Sequence, residues 1–143
     1  MLSNSSKYAI KAVLFLAINS SKEQKIMVKD IYSSINVSEA YIAKLLQELA
    51  RHNIISSIRG PKGGFYLTEE EKNQTLLDIV KVIDGENRVN ACVLGISECN
   101  DENPCILHAL VGPSKNIFLK VLETTTISDL TKDLPKAATF FPY

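Results

Sequence analysis

Three glycines and a proline fall within five residues, Gly60-Pro61-Lys62-Gly63-Gly64, between the β-branched run Ile54 to Ile58 and the run Phe65-Tyr66-Leu67. Such a cluster cannot continue a helix, permits a tight tip with positive φ, and leaves the backbone bare for close approach. The two flanking runs therefore read as the strands of a hairpin whose tip carries the positive charges of Arg59 and Lys62. A phosphate-cradling nucleotide loop is the poorer reading, because the Gly-x-x-x-x-Gly-Lys-Ser/Thr spacing is missing and no helix begins directly after the glycines.

Upstream of the hairpin, Val28, Ile31, Tyr32 and Ile35 fall at i, i+3, i+4 and i+7, which predicts a short amphipathic helix ending near Asn36. Ser38 is placed to cap a second helix, in which Ile42, Leu45, Leu46 and Leu49 repeat the same spacing. Opposite that stripe lie Ala40, Lys44, Gln47 and Arg51, a face that suits DNA and water equally well. Two helices joined by three or four residues form a helix-turn-helix pattern, and a basic hairpin after it reads as a wing. An earlier segment, Ser5 to Ser20, carries Ala9, Ala12, Val13, Leu16 and Ala17 at helical spacing and reads as a buried packing helix.

The chain of 143 residues has no net charge, yet its halves differ: residues 1–65 hold nine basic and four acidic side chains, a net of +5, and the remainder is −5. Nonspecific affinity for a polyanion follows local charge, so the amino-terminal half is the one expected to meet phosphate. No stretch approaches the roughly 18 apolar residues of a membrane span; the longest run, Ala12 to Ile18, is bounded by Lys11 and Asn19. Lys11 also interrupts any reading of the start as a secretory signal, so a cytoplasmic protein without membrane contact is expected.

In the second half, Thr68-Glu69-Glu70-Glu71 has a capping-box pattern, and Leu76, Ile79, Val80 and Ile83 trace a helix that Gly85 can end. Residues 87–103 read as loop. After Gly112-Pro113, a helix with Ile117, Phe118, Val121 and Leu122 is too apolar to stand alone, and the simplest partner is a second copy of the chain. On that reading Phe118→Asp should yield monomers. The expected organisation is 1–85 as a DNA-binding domain, 86–108 as a cysteine-bearing loop, and 109–143 as a dimerisation helix and tail.

Cys92, Cys99 and Cys105 lie within fourteen residues, and in a chain without an export signal this favours metal or redox chemistry over a disulfide framework. With His108 one helical turn after Cys105, they offer three sulfurs and a nitrogen, able to hold zinc or an iron-sulfur unit. The spacing Cys-x6-Cys-x5-Cys-x2-His lacks the Cys-x2-Cys knuckle of common zinc sites but does not by itself separate the two, and unliganded redox-active thiols remain a third reading. No nucleophile–base pair or paired catalytic carboxylates accompany the cysteines, so the chain does not read as an enzyme.

Taken together, Ser6-Lys7-Tyr8-Ala9, Ile54-Ile55-Ser56-Ser57, the wing Arg59 to Leu67, Leu77-Asp78-Ile79-Val80, and Cys92, Cys99, Cys105 with His108 resemble the IscR/NsrR-like (Rrf-type) winged-helix transcription regulators of bacteria. The resemblance covers nearly the whole chain. It implies a mainly α fold, a winged helix-turn-helix with a small β-hairpin wing and a long C-terminal dimerisation helix, acting as a homodimer on palindromic double-stranded DNA. Ser38, Ala40, Tyr41, Lys44 and Gln47 would then face the groove, and Arg59 and Lys62 would touch phosphate or the minor groove. It further implies an iron-sulfur cluster, 2Fe-2S in members with a histidine three residues after the last cysteine, here on Cys92, Cys99, Cys105 and His108. Members with a 4Fe-4S cluster use an amino-terminal Asp where this chain has Lys7, which disfavours that type. Two departures stand out: the first cysteine gap is one residue longer than in IscR, and Ala43 replaces a Glu of members that read one class of operator. The competing reading is a zinc- or thiol-containing cluster-assembly or redox accessory protein.

Overall fold

The computed structural model describes residues 2–96 and 99–133, so the end of the expected 109–143 region lies outside the described residues. Its first helix, α1 (Asn4–Asn19), is capped by Ser3, whose Oγ accepts the Ser6 amide at 3.0 Å. Ala9, Ala12, Val13 and Leu16 are fully buried, and the two alanines let neighbouring helices approach closely.

Helix α2 (Val28–Ile35) buries Ile31 and Ile35 and ends at Asn36, which takes the left-handed conformation at φ 55°. Two residues later Ser38 caps α3 (Glu39–Arg51), which buries Ile42, Leu45, Leu46 and Leu49, the stripe expected from the sequence. The hairpin follows as β1 (Ser56–Ile58) and β2 (Gly64–Tyr66), antiparallel in the register Ser56↔Tyr66, Ser57↔Phe65 and Ile58↔Gly64. Ile26 adds a third edge: its amide donates to the Phe65 carbonyl at 2.9 Å and its carbonyl accepts from the Phe65 amide at 2.8 Å. The wing is thereby tied to the segment that leads into α2.

Thr68 and Glu71 do bond reciprocally, with Glu71 accepting the Thr68 amide at 2.9 Å, but this builds only a single 3-10 turn, Glu71–Asn73. The next helix, α4 (Leu76–Asp84), has its own capping box from Thr75 and Asp78 and ends at Gly85. A short α5 (Glu86–Asn90) occupies the start of the expected loop.

Helix α6 (His108–Thr124) begins before Gly112-Pro113 rather than after it. A proline here removes only the bond to the carbonyl of Ala109, a solvent-exposed residue, so the helix runs through it. Helix α7 (Ile127–Thr131), with a capping box from Thr126 and Asp129, turns back to bury Ile127 beside α1. The core is thus α1 surrounded by α3, α4 and α7, with α2 on α3 and α6 on α4. The mainly helical expectation with one two-stranded hairpin holds. No helix among the described residues is long and apolar enough to cross a membrane.

The apolar stripe of α6 divides. Leu122 is buried and Phe118 lines a cavity between α4 and α6, while Leu110, Ile117 and Val121 are 77%, 68% and 50% exposed. Phe118→Asp would therefore disturb packing within the chain, and the unpartnered face is the one bearing Leu110, Ile117 and Val121.

Candidate nucleic-acid interface and cysteine site

Ala40, Lys44, Gln47 and Arg51 stand on one exposed face of α3, spaced i, i+4, i+7 and i+11. Ser38 is exposed but its Oγ accepts the Tyr41 amide at 3.4 Å, so the hydroxyl belongs to the helix cap. Tyr41 is half-buried; its hydroxyl bonds to Ser5 at 2.6 Å and its ring meets Tyr8 edge-on at 5.8 Å. That contact fixes the start of α3 against α1. Arg51 is held by Glu48 at 2.7 Å, and this guanidinium, with His52 beside it, keeps the Glu48 carboxyl below the usual range.

The hairpin stands beside the far end of α3. Gln47, Ala50 and Arg51 of the helix and Ser57, Arg59 and Gly60 of the wing line one open cleft. Lys62 is exposed at the tip, where Gly60 has φ 110° and its carbonyl accepts the Gly63 amide at 2.9 Å. The cleft, which Met27, Val28, Ile58 and Phe65 also line, joins the end of the helix face to the basic wing. The sequence places Arg51 on a face that suits DNA and water equally well; its position in the cleft beside the wing follows only from the fold.

The three cysteines are free thiols, and with His108 and Lys115 they line a single small cavity at the base of α6. The four expected donors stand as two contacting pairs. Cys99 Sγ lies 3.4 Å from His108 Nδ1, and the Cys105 thiol hydrogen-bonds to Cys92. The amide of Leu94, the Cys105 thiol, the amide of Ile96 and the charge of Lys115 together hold the Cys92 thiol below its usual pKa, outweighing the opposing effect of burial. On its other side, His108 Nε2 donates to Asp101 at 2.8 Å, which leaves Nδ1 turned toward the cysteines.

Among the described residues, no three such donors close on the position of a single metal ion. Three thiols and an imidazole on one cavity are donors that a two-iron centre or a tetrahedral zinc ion can take. The donor chemistry thus fits the iron-sulfur group. Asp101 and Lys115 were not singled out from the sequence. Lys115 carried a readable signal, since it falls seven residues after His108 and so on the same face of α6.

The family model described as "Rrf2: Iron-dependent Transcriptional regulator" matches residues 2–133. The HTH-type transcriptional regulator NsrR of Geobacillus kaustophilus is 29% identical over 133 residues, covering 92% of this chain and 90% of its own length. The regulator IscR of Escherichia coli is 25% identical over 132 residues, covering 92% and 80% respectively. Among solved structures, CymR, the global cysteine regulator of Bacillus subtilis, superposes with a TM-score of 0.74 at 25% identity, covering 94% of this chain and 98% of its own. The resemblance first read from the wing and the cysteines is borne out over nearly the whole length. This chain belongs to the Rrf2 family of transcriptional regulators.

Proposed function

We propose that the chain is a homodimeric regulator that reads a palindromic DNA site and whose affinity is set by an iron-sulfur centre, 2Fe-2S, on Cys92, Cys99, Cys105 and His108. The observation that carries the sensory part is the convergence of those four side chains, as two contacting pairs, on one cavity at the base of α6. When bound, such a group supplies a centre that responds to electrons, oxygen or nitric oxide. The protein's own residues do the rest. Helix α6 packs on α4 and α4 on α3, so a shift of His108 or of the cysteine segment has a continuous packed route to the DNA-facing helix.

On DNA, Ala40, Lys44 and Gln47 face the major groove while Ser38 and Tyr41 hold the start of α3 in place, and Arg59 and Lys62 on the wing meet phosphate or the flanking minor groove. The +5 charge of the amino-terminal half supplies the phosphate affinity, so binding should weaken steeply with salt. Arg59→Ala is expected to weaken operator binding by about 1–3 kcal/mol if the side chain reaches a base, and by less if it meets only phosphate. Titration of a labelled operator at several salt concentrations checks this, and affinity unchanged by both Arg59→Ala and Lys62→Ala would sink the wing assignment.

The sensory reading is tested by anaerobic reconstitution followed by iron, zinc and sulfide analysis, with genomic-fragment binding measured on loaded and stripped protein. Iron and sulfide in equal amounts, lost on Cys→Ala substitution, together with a change in DNA affinity, are expected. Stoichiometric zinc without sulfide replaces the cluster by a zinc site. Equal DNA affinity in both states removes the sensory role.

A further inference from the structure

Lys115 is 7% exposed, among the most buried charged groups of the described chain. Its Nζ donates to the Asn90 carbonyl at 3.0 Å and to the Ala91 carbonyl at 2.5 Å. The Asn90 carbonyl also accepts the Cys99 amide at 3.1 Å, and Ala91 immediately precedes Cys92. One ammonium therefore fixes the backbone from which two of the three cysteines project. Among the described residues no carboxylate pairs with it.

A buried ammonium satisfied only by neutral carbonyls is costly, because dipoles do not neutralise a charge withdrawn from water. Two carbonyls leave one of its three N–H donors over. The cavity that Lys115 lines is the one lined by Cys92, Cys99, Cys105 and His108. Three thiolates outweigh the positive charge of an oxidised two-iron, two-sulfide core, and they equally outweigh that of a zinc ion, so any metal centre held there is an anion. Such an anion supplies the charge that the structure around Lys115 otherwise lacks.

We propose that Lys115 is the built-in countercation of the anionic metal centre, a positioning residue that holds the cysteine-bearing backbone and raises the centre's reduction potential. This deepens, and rests on, the iron-sulfur reading above. When the centre accepts one electron from an external one-electron donor it gains one negative charge. No bond forms or breaks at Lys115. A fixed cation beside the centre favours the more negative, reduced state.

The test uses the full chain with Lys115→Met, which keeps the length and removes the charge, and Lys115→Arg, which restores it. Both are reconstituted anaerobically and titrated with dithionite under spectroscopic control of potential. The midpoint potential is expected to shift downward in Lys115→Met and to stay near the unaltered value in Lys115→Arg. An unchanged potential in Lys115→Met at full iron and sulfide content overturns the proposal, since loss of a purely structural latch would lower only the melting temperature of the metal-free protein. If Lys115→Met keeps its metal-free circular dichroism but assembles no cluster while Lys115→Arg does, the need for a cation is upheld; failure of both variants alike overturns it. If the unaltered protein takes zinc without sulfide, the cluster reading falls while Lys115 is still judged. Faster zinc loss to a chelator from Lys115→Met than from Lys115→Arg then supports the countercation, and equal loss overturns it.

Discussion

Ile117→Asp combined with Val121→Asp is expected to leave a folded monomer that binds a palindromic operator only weakly. Both side chains stand exposed on the outer face of α6 with Leu110, the face that a second copy of the chain would cover in the proposed homodimer. Burying one such side chain is worth about 1.5–3 kcal/mol. In a two-fold interface every substitution acts twice, so each position contributes roughly 3–6 kcal/mol to association. At about 1.4 kcal/mol per factor of ten, even one substitution should weaken the dimer by about a hundredfold or more. Light scattering at micromolar concentration reads the outcome directly, with the melting temperature as a control for fold. A double variant that remains dimeric would remove this interface, and a monomeric unaltered protein would remove the paired docking on DNA with it.

The second large effect is expected from Gly63→Ala. A Cβ at Gly63 would run into the carbonyl of Ile58 on the facing strand, and that obstacle is backbone rather than the flexible end of a side chain. The tip must therefore open, breaking the Gly63-to-Gly60 bond and the Ile58↔Gly64 pairing beside it. Overpacking of this kind costs about 1–3 kcal/mol, here confined to a hairpin at the edge of the molecule. Arg59 and Lys62 would lose their fixed positions together, so operator affinity should fall by at least as much as in Arg59→Ala, with little change in the dimer. A Gly63→Ala variant that binds like the unaltered protein would show that the tip's shape is irrelevant to DNA.

Much of this architecture is written in local pattern. The i, i+3, i+4, i+7 stripes of α2 and α3 point inward as their spacing requires, because a helix with one apolar face has only one way to bury it. The glycine cluster determines the wing for an equally local reason: Gly60 at φ 110° and the close approach at Gly63 admit no side chain. The sequence groups Cys92, Cys99, Cys105 and His108 by residue type and spacing, and the fold brings the four to one cavity. What periodicity could not decide is which part of a broad apolar stripe meets its own chain. In α6, adjacent residues 117, 118, 121 and 122 are all apolar, and only the position of α4 assigns Phe118 and Leu122 inward and leaves Ile117 and Val121 outside. The start of α6 and the use of Thr68–Glu71 as a turn rather than the cap of α4 also depended on what lies across space, as Ser56 does for Glu71. So did the bond of Lys115 to the backbone before Cys92, because a charged residue in a sequence becomes a buried partner only when a distant segment folds over it and excludes the water that would otherwise solvate it.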